Sequence, residues 1–185
     1  MIFPVYVYGS AVLREPAEEI ADRSLITPRF IEDMFETMYS SDGVGLAAPQ
    51  VGRNLRLFVV DASPNADDDP RLADFKKVFI NPEIYERSEE EVLMGEGCLS
   101  VPGIHEEVYR PERIRIRYLD ENWQEHDEEW DGFAARVIQH EYDHLDGKLF
   151  VDHLSPLRRT LLKSKLVGMT KGNFKAHYKC KLVKK

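Results

Sequence analysis

The clearest helical pattern in the chain lies in the segment TPRFIEDMFETMYSSDG. Its apolar residues recur every three or four positions, which predicts one buried helix face: Phe30, Ile31, Met34, Phe35 and Met38. Thr27 is a suitable N-cap, and Pro28 suits the first helical position. We therefore predict an N-terminal helix that begins at Pro28 and ends before Asp42-Gly43.

Strand patterns follow the small, Gly-rich segment GVGLAAPQVG. The β-branched core of LRLFVVDAS predicts a buried strand, and VFINPEIYE predicts another. In ERIRIRYLD, isoleucine and tyrosine alternate with arginine, which predicts a strand with one solvated face. WQEHDEEW is the expected returning strand. The acidic segment 63–74 between the first two strands is predicted to be an exposed loop.

A second helix is predicted to begin at Asp131-Gly132 and to end at Gly147. Apolar residues lie on nearly all sides of this helix. Phe133 and Val137 share one face with His140 and His144, and Ile138, Tyr142 and Leu145 occupy another. A helix of that kind is buried in a core. Two imidazoles and a carboxylate inside a core need polar or metal partners.

The segment SPLRRTLLKSKLV predicts a C-terminal amphipathic helix whose apolar side consists of Leu157, Leu161, Leu162 and Leu166. Helices and strands together predict one α+β domain. We expect a single catalytic domain over residues 1–167 and a basic C-terminal tail over residues 168–185.

Composition supports a globular protein that does not span a membrane. The 185 residues are 43% hydrophobic and 31% charged. No apolar run approaches the ~18 residues of a membrane span. The N-terminus carries no basic leader or convincing cleavage site, so we expect a mature, cytoplasmic protein. The 2 cysteines are too few for a disulfide framework, which leaves metal binding or catalysis as their more interesting roles.

Charge is distributed unevenly along the chain. Residues 154–185 hold ten Lys or Arg and no acid, whereas residues 1–153 hold fifteen basic and thirty-three acidic residues. A basic tail can contact RNA phosphates. A run of like charge is nevertheless more often simply solvated.

The candidate chemistry lies in QHEYDHLDG, residues 139–147. His140 and His144 are one helical turn apart, so both side chains can reach a single ion, and Glu141 then flanks that ion as a base. The motif H-E-x-x-H is short, and a surface helix rich in His and Asp is the alternative. The segment itself contains no third ligand.

The downstream sequence offers no convincing third ligand. The extended protease pattern H-E-x-x-H-x-x-G-x-x-H requires a histidine where Phe150 stands, and no acid follows Asp152. The remaining downstream candidates are His153, His177 and Cys180. Upstream, Cys98 is flanked by glycines that permit close backbone approach. Two imidazoles and one thiolate leave a fourth position open, as in catalytic rather than structural sites.

Three motifs, in this order and with these separations, resemble those of bacterial peptide deformylases: GVGLAAPQ at 43–50, EGCLS at 96–100 and QHEYDHLDG at 139–147. The resemblance extends over most of the chain to about residue 155. It implies antiparallel sheets packed around a central helix that bears the two histidines. It also implies a metal hydrolase that removes the formyl group from the initiator methionine of nascent polypeptides.

The resemblance further implies roles for individual residues. The metal ligands are expected to be Cys98, His140 and His144, with Fe(II) as the cellular metal and Zn or Ni able to occupy the same site. Glu141 is expected to be the general acid and base, and Gln50 and the Leu99 backbone N–H are expected to stabilise the oxyanion. The methionine pocket is expected to include Val44, Gly45, Met94, Gly97, Phe133 and Val137. Each pocket residue also suits an ordinary core, and Gln50 also suits a loop residue that caps its own turn.

Three further expectations depend on this resemblance. His105 stands where some members have an arginine, which leaves the preference for downstream peptide residues open. Arg136 is expected at the pocket mouth or in solvent. The basic C-terminal helix and tail are expected to contact the ribosome; the alternative is a helix that only packs its leucines.

Two other functional classes remain possible from the sequence. An endopeptidase with the same catalytic pair would cleave internal peptide bonds. A non-enzymatic RNA-binding or ribosome-associated protein would use the basic tail and would carry its histidines for packing only.

Overall fold

Three α-helices and nine β-strands make up the chain in a computed structural model that describes all residues from Met1 to Lys185. The helices are α1 (Pro28–Ser40), α2 (Gly132–Leu145) and α3 (Pro156–Met169). The strands are β1 (Val5–Tyr6), β2 (Gly45–Ala47), β3 (Leu57–Asp61), β4 (Lys76–Arg87), β5 (Glu91–Cys98), β6 (Val101–Pro111), β7 (Arg113–Leu119), β8 (Glu125–Asp131) and β9 (Cys180–Lys181). This mixture confirms the predicted α+β class.

The sheets position the second helix. Five antiparallel strands form the main sheet in the order β2-β3-β4-β7-β8, and β5 and β6 form a separate antiparallel hairpin. Every residue of β3 is buried. Apolar residues of α2 pack on the main sheet in one cluster with Phe58 and Phe79, whose rings stack at 4.6 Å. The helix with the histidines is therefore central, as predicted.

The predicted N-terminal helix is confirmed with its capping residue. The Thr27 hydroxyl accepts a hydrogen bond from the Phe30 N–H at 3.1 Å, and Pro28 is the first helical residue. This cap satisfies one of the N–H groups that a helix start leaves without a partner.

The limits predicted for α2 are also confirmed. The helix follows Asp131, and the chain leaves it through Gly147 at φ +71. A Cβ at Gly147 would lie 2.6 Å from the Arg14 carbonyl oxygen, so only glycine fits the turn.

The prediction for the apolar side of α3 was wrong in part. Leu162 and Leu166 are buried, but Leu157 and Leu161 are 69% and 62% exposed. At 100° per residue, Leu157 and Leu161 point roughly 140° away from Leu162 and Leu166. One helix face cannot bury both pairs, and only Leu162 and Leu166 pack against the rest of the fold.

The C-terminal segment packs on the N-terminal strand. The proposed division at residue 167 falls inside α3, which continues to Met169. Beyond the helix, β9 pairs in parallel with β1, with Cys180 opposite Val5. None of the three helices has the length and apolar character that a membrane crossing requires.

Candidate active site

Three metal-ligating side chains converge between α2 and the β5–β6 hairpin. The ligand atoms of Cys98, His140 and His144 all lie within 4.8 Å of one another. The Cys98 Sγ lies 3.3 Å from the His144 Nε2. The other downstream candidates, His153, His177 and Cys180, do not belong to this group. The structure thus brings together the three residues that the motifs predicted as ligands.

Rigid elements position these three side chains. α2 presents both histidines on its inner side, with ring centroids 5.2 Å apart. Cys98 ends β5, where the regular pairing of Gly97 with His105 gives way to pairing of Cys98 with Val101. This register shift turns the hairpin end towards α2.

A buried carboxylate lies behind His140. The Glu96 side chain accepts from His140 Nδ1 at 2.7 Å, from Arg110 Nε at 2.6 Å and from Arg136 Nη1 at 2.7 Å. Burial would raise the pKa of Glu96, but the hydrogen bonds from His140 and Arg110 outweigh it and lower the pKa well below its usual range. Arg110 also donates to Asp143. Since Nδ1 of His140 is occupied by Glu96, its Nε2 is left for a ligand, the arrangement common in metal sites.

Glu141 is buried in the same region. Its side chain is 4% exposed, and its Oε2 atom has no hydrogen-bond partner in the protein. Burial raises the pKa of Glu141 to about 7. A Cβ at Gly45 would lie 2.6 Å from the Glu141 Oε1, so β2 approaches the carboxylate as closely as glycine permits.

The side-chain amide of Gln50 is fixed in orientation. Its Oε1 accepts from the Ala47 N–H at 2.9 Å, so the NH₂ group points the other way. That group donates to the Ser100 hydroxyl at 3.1 Å and lies 3.6 Å from the Cys98 Sγ. Gln50 therefore combines the two roles considered from the sequence: it caps its own turn and presents a donor to the cysteine.

A groove of about 470 Å³ opens over the cluster. It contains most of the residues expected for the pocket: Val44, Gly45, Gly97, Phe133 and Val137 line it, together with Gln50, Leu99 and His105. Met94 is half-buried on β5 and is not among the lining residues.

Arg136 does not lie in solvent, as one sequence interpretation allowed. It is 4% exposed, and besides Glu96 it donates to the Val108 and Val92 carbonyls. A guanidinium with five donors is satisfied in the interior only with such partners. Its pairing with Glu96 depends on long-range packing, which no local pattern reveals.

Sequence reasoning missed two parts of the site. Glu96 was given no role of its own within the EGCLS motif. An acid two residues before a candidate ligand cysteine is nevertheless a signal for a residue that hydrogen-bonds to the metal ligands. Residues 175–178 also line the groove. They are distant from every motif, and nothing local indicates their position.

Comparison with known proteins places the chain in a family. The sequence profile described as "Polypeptide deformylase" matches residues 2–160. The chain belongs to the polypeptide deformylase family. A relative named peptide deformylase from Cytophaga hutchinsonii is 52% identical over 98% of this chain and 97% of its own length. One from Christiangramia forsetii is 48% identical over 97% and 95%.

Solved deformylase structures share the fold. The peptide deformylase of Thermus thermophilus superposes with a TM-score of 0.82 at 42% identity, covering 93% of this chain and 99% of its own. The enzyme from Synechococcus elongatus, solved in complex with actinonin, gives 0.76 at 40% identity over 88% and 85%. The predicted family, fold and enzyme class are therefore confirmed.

The residues present fit the metal that this deformylase family uses. One thiolate and two imidazoles are donors suited to zinc and other divalent transition metals. Burial lowers the pKa of His144 well below its usual value, which favours the neutral ring that a metal ligand needs. For His140, burial also lowers the pKa, but the hydrogen bonds to Cys98 and Glu96 outweigh it and raise the pKa, so binding of a cation there would release a proton. The buried Nδ1 of His144 has no partner in the protein.

Proposed function

We propose that the chain is a metal-dependent hydrolase that removes the N-formyl group from the N-terminal methionine of newly synthesised polypeptides. The observation that carries this proposal is the convergence of Cys98, His140 and His144 beside a buried Glu141, at the base of a groove in a deformylase fold. Relatives over nearly the full chain are named peptide deformylase.

Cys98, His140 and His144 would hold one divalent cation, which when bound acidifies a water and polarises the formyl carbonyl. We propose Fe(II) in the cell, with Zn or Ni possible in purified protein. Glu96 keeps the His140 ring in one orientation through the Nδ1 hydrogen bond of 2.7 Å. The fixed ring then directs its second nitrogen towards the cysteine sulfur.

Glu141 is the proposed proton carrier. A carboxyl group with a pKa of about 7 can accept a proton from water and then donate it to the leaving amine near neutral pH. Its Oε2 has no partner in the protein that competes for that proton. General acid–base catalysis of this kind contributes about 10²–10⁴-fold in rate.

Gln50 and the Leu99 backbone N–H are the proposed oxyanion donors. The Ala47 N–H holds the Gln50 amide so that its NH₂ group faces the cluster. Donors that are already oriented do not have to reorganise as charge develops on the substrate oxygen. Loss of one such donor typically costs about 10²–10³-fold in rate.

The groove is proposed to accept an extended peptide with a methionine side chain. Val44, Phe133 and Val137 give it an apolar lining that suits an unbranched thioether. β2 is the edge strand of the main sheet, so the backbone near Gly45 can pair with a peptide. Met94 stays a predicted pocket residue that substrate-binding measurements have to test.

The decisive experiment measures formate release from formyl-Met-Ala-Ser amide by protein purified without oxygen. We expect equal amounts of formate and free amine, and no reaction with the acetyl-Met peptide. Cleavage of an internal peptide bond without formate would instead indicate an endopeptidase. Absence of any reaction by metal-loaded protein would refute the proposal.

The place of action is a further proposal. Formylated chains are newly made, so we propose that the enzyme works in the cytoplasm on chains leaving the ribosome. Contact of α3 and the basic tail with ribosomal RNA stays a prediction. It is supported by the charge of residues 154–185, which hold ten Lys or Arg and no acidic residue.

A further inference from the structure

The chain beyond α3 returns to the groove and forms part of its lining. We call residues 173–178 the strap. At its start, Phe174 packs against the apolar cluster that contains Val101 and Ile104. At its end, the Tyr178 hydroxyl donates to the Leu99 carbonyl at 2.7 Å. Immediately after it, β9 pairs with β1, which holds the strap in place from behind.

The strap is fixed to the wall of the groove at two points. His177 Nε2 lies 3.0 Å from the carboxylate of Asp42, which lines one wall together with Gly43 and Val44. Tyr178 is bonded to Leu99, whose side chain lies beside Gly43: a Cβ at Gly43 would be 2.9 Å from the Leu99 Cδ1. Residues 175–177, between Phe174 and Tyr178, are exposed and line the groove. A peptide that lies in the groove therefore passes these residues.

Lys175 is the one lysine or arginine lining the groove that has no ion-pair partner. Arg136, the other, is buried and committed to Glu96. His177 lies 3.0 Å from the carboxylate of Asp42, and no carboxylate lies within ion-pair distance of Lys175. An ammonium without a partner at the rim of a groove is available to a charge on a bound peptide.

We propose that the strap determines specificity, and that Lys175 favours acidic side chains in the residues that follow the formyl-methionine. The inference rests on the proposed function, because it assumes that a formyl peptide occupies the groove. The strap lies beyond residues 2–160, the part matched by the family profile, so membership of the family does not itself imply this preference.

The geometry fixes the direction of the peptide. The formyl group has to lie at Cys98 and the two histidines, at the base of the groove, so the following residues extend towards the mouth. There the strap supplies a positive charge. Exposed charge pairs are weak and screened by salt, so reversal of Lys175 is expected to change the preference between acidic and basic peptides by about 3–10-fold.

The test compares formyl-Met peptides that carry Asp or Lys at the second, third or fourth position, with amidated C-termini that remove the terminal charge. For each position, kcat/KM for the Asp peptide is divided by kcat/KM for the Lys peptide. A ratio cancels any general loss of activity in a variant. Wild-type protein, Lys175→Glu, Lys175→Arg and the control Lys165→Glu, at an exposed position of α3, are compared.

We expect the wild-type ratio to exceed 1 for at least one position, to shrink in 0.5 M salt, and to fall about 3–10-fold in Lys175→Glu. Lys175→Arg should keep the wild-type ratio because it keeps the charge, and Lys165→Glu should leave the ratio unchanged. An equal ratio in wild-type protein and Lys175→Glu at all three positions would overturn the proposal.

The two proposals fail in different ways. If wild-type protein releases no formate from any formyl-Met peptide, the proposed function is wrong. If it releases formate from all of them but Lys175→Glu leaves every ratio unchanged, only the role of the strap is wrong. A melting temperature measured for each variant shows that the compared proteins are folded.

Discussion

Replacement of Gly45 by alanine is expected to disable Glu141 without removing it. The new Cβ would lie 2.6 Å from Oε1, 2.8 Å from Cγ and 2.9 Å from Cδ of the glutamate. Ordinary van der Waals contact begins at 3.4 Å, so the carboxylate has to retreat by about 0.8 Å. Glu141 is buried on α2, and neither the helix nor the main sheet can move freely to absorb this displacement.

The size of the effect follows from that displacement. A shift of roughly 1 Å in a catalytic group costs about 10²-fold in rate, so kcat should fall by about that factor. The crowding should also destabilise the fold by about 1–3 kcal/mol, as overpacked cores do. KM should rise as well if the added methyl group obstructs peptide pairing at the β2 edge.

Formate release, melting temperature and metal content together test this prediction. Gly95→Ala on β5 is the matched control, because a Cβ at that position meets nothing within 4 Å. Gly95 lines the groove but is not crowded, so we expect Gly95→Ala to keep the wild-type kcat and metal content, and Gly45→Ala to retain its metal while kcat falls. A Gly45→Ala protein with a kcat within about threefold of the wild type would refute the proposed contact between β2 and the general base.

Three other substitutions test the remaining parts of the site. Glu141→Gln should stay folded and metal-bound with at least ~10²-fold lower kcat, and a Gln variant with near-normal turnover would show that Glu141 is not the general base. In the wild type, kcat/KM should fall as the pH drops through the pKa of Glu141, because only the ionised carboxylate accepts a proton. Cys98→Ala should lose its metal by elemental analysis, whereas Cys180→Ala keeps both metal and rate; equal loss in the two would contradict the ligand assignment. Glu96→Ala should cost about 3–5 kcal/mol in denaturant unfolding, because the buried Arg136 loses its carboxylate partner and the buried Arg110 keeps only Asp143. Glu129→Ala, in an exposed pair with Arg113, should cost less than about 1 kcal/mol, and similar losses in both variants would show that burial of the network contributes nothing.

Local patterns sufficed for the helices and for most strands of the main sheet. The cap at Thr27, the alternation in ERIRIRYLD and the glycine after α2 each act within a few residues, where sequence and structure are tightly linked. The central position of α2 was also predictable, because the helix carries apolar residues on nearly all of its sides.

The unpredicted features all depend on contacts between distant segments. The β5–β6 hairpin contains glycines and prolines and has neither a regular alternation nor a sustained β-branched run, so no strand was predicted on either side of Cys98. Arg136 is buried because Glu96, forty positions away, neutralises it. The strap reaches the groove through pairing of β9 with β1, about 175 residues apart, which neither segment signals by itself.

The most direct test of the account is a crystal structure of protein purified without oxygen, with anomalous diffraction measured at the absorption edge of the metal found in it. We expect one strong peak per chain, within about 2.0–2.3 Å of the Cys98 sulfur and of one nitrogen from each of His140 and His144. A peak bonded to other residues, or a sulfur turned away from both imidazoles, would contradict it.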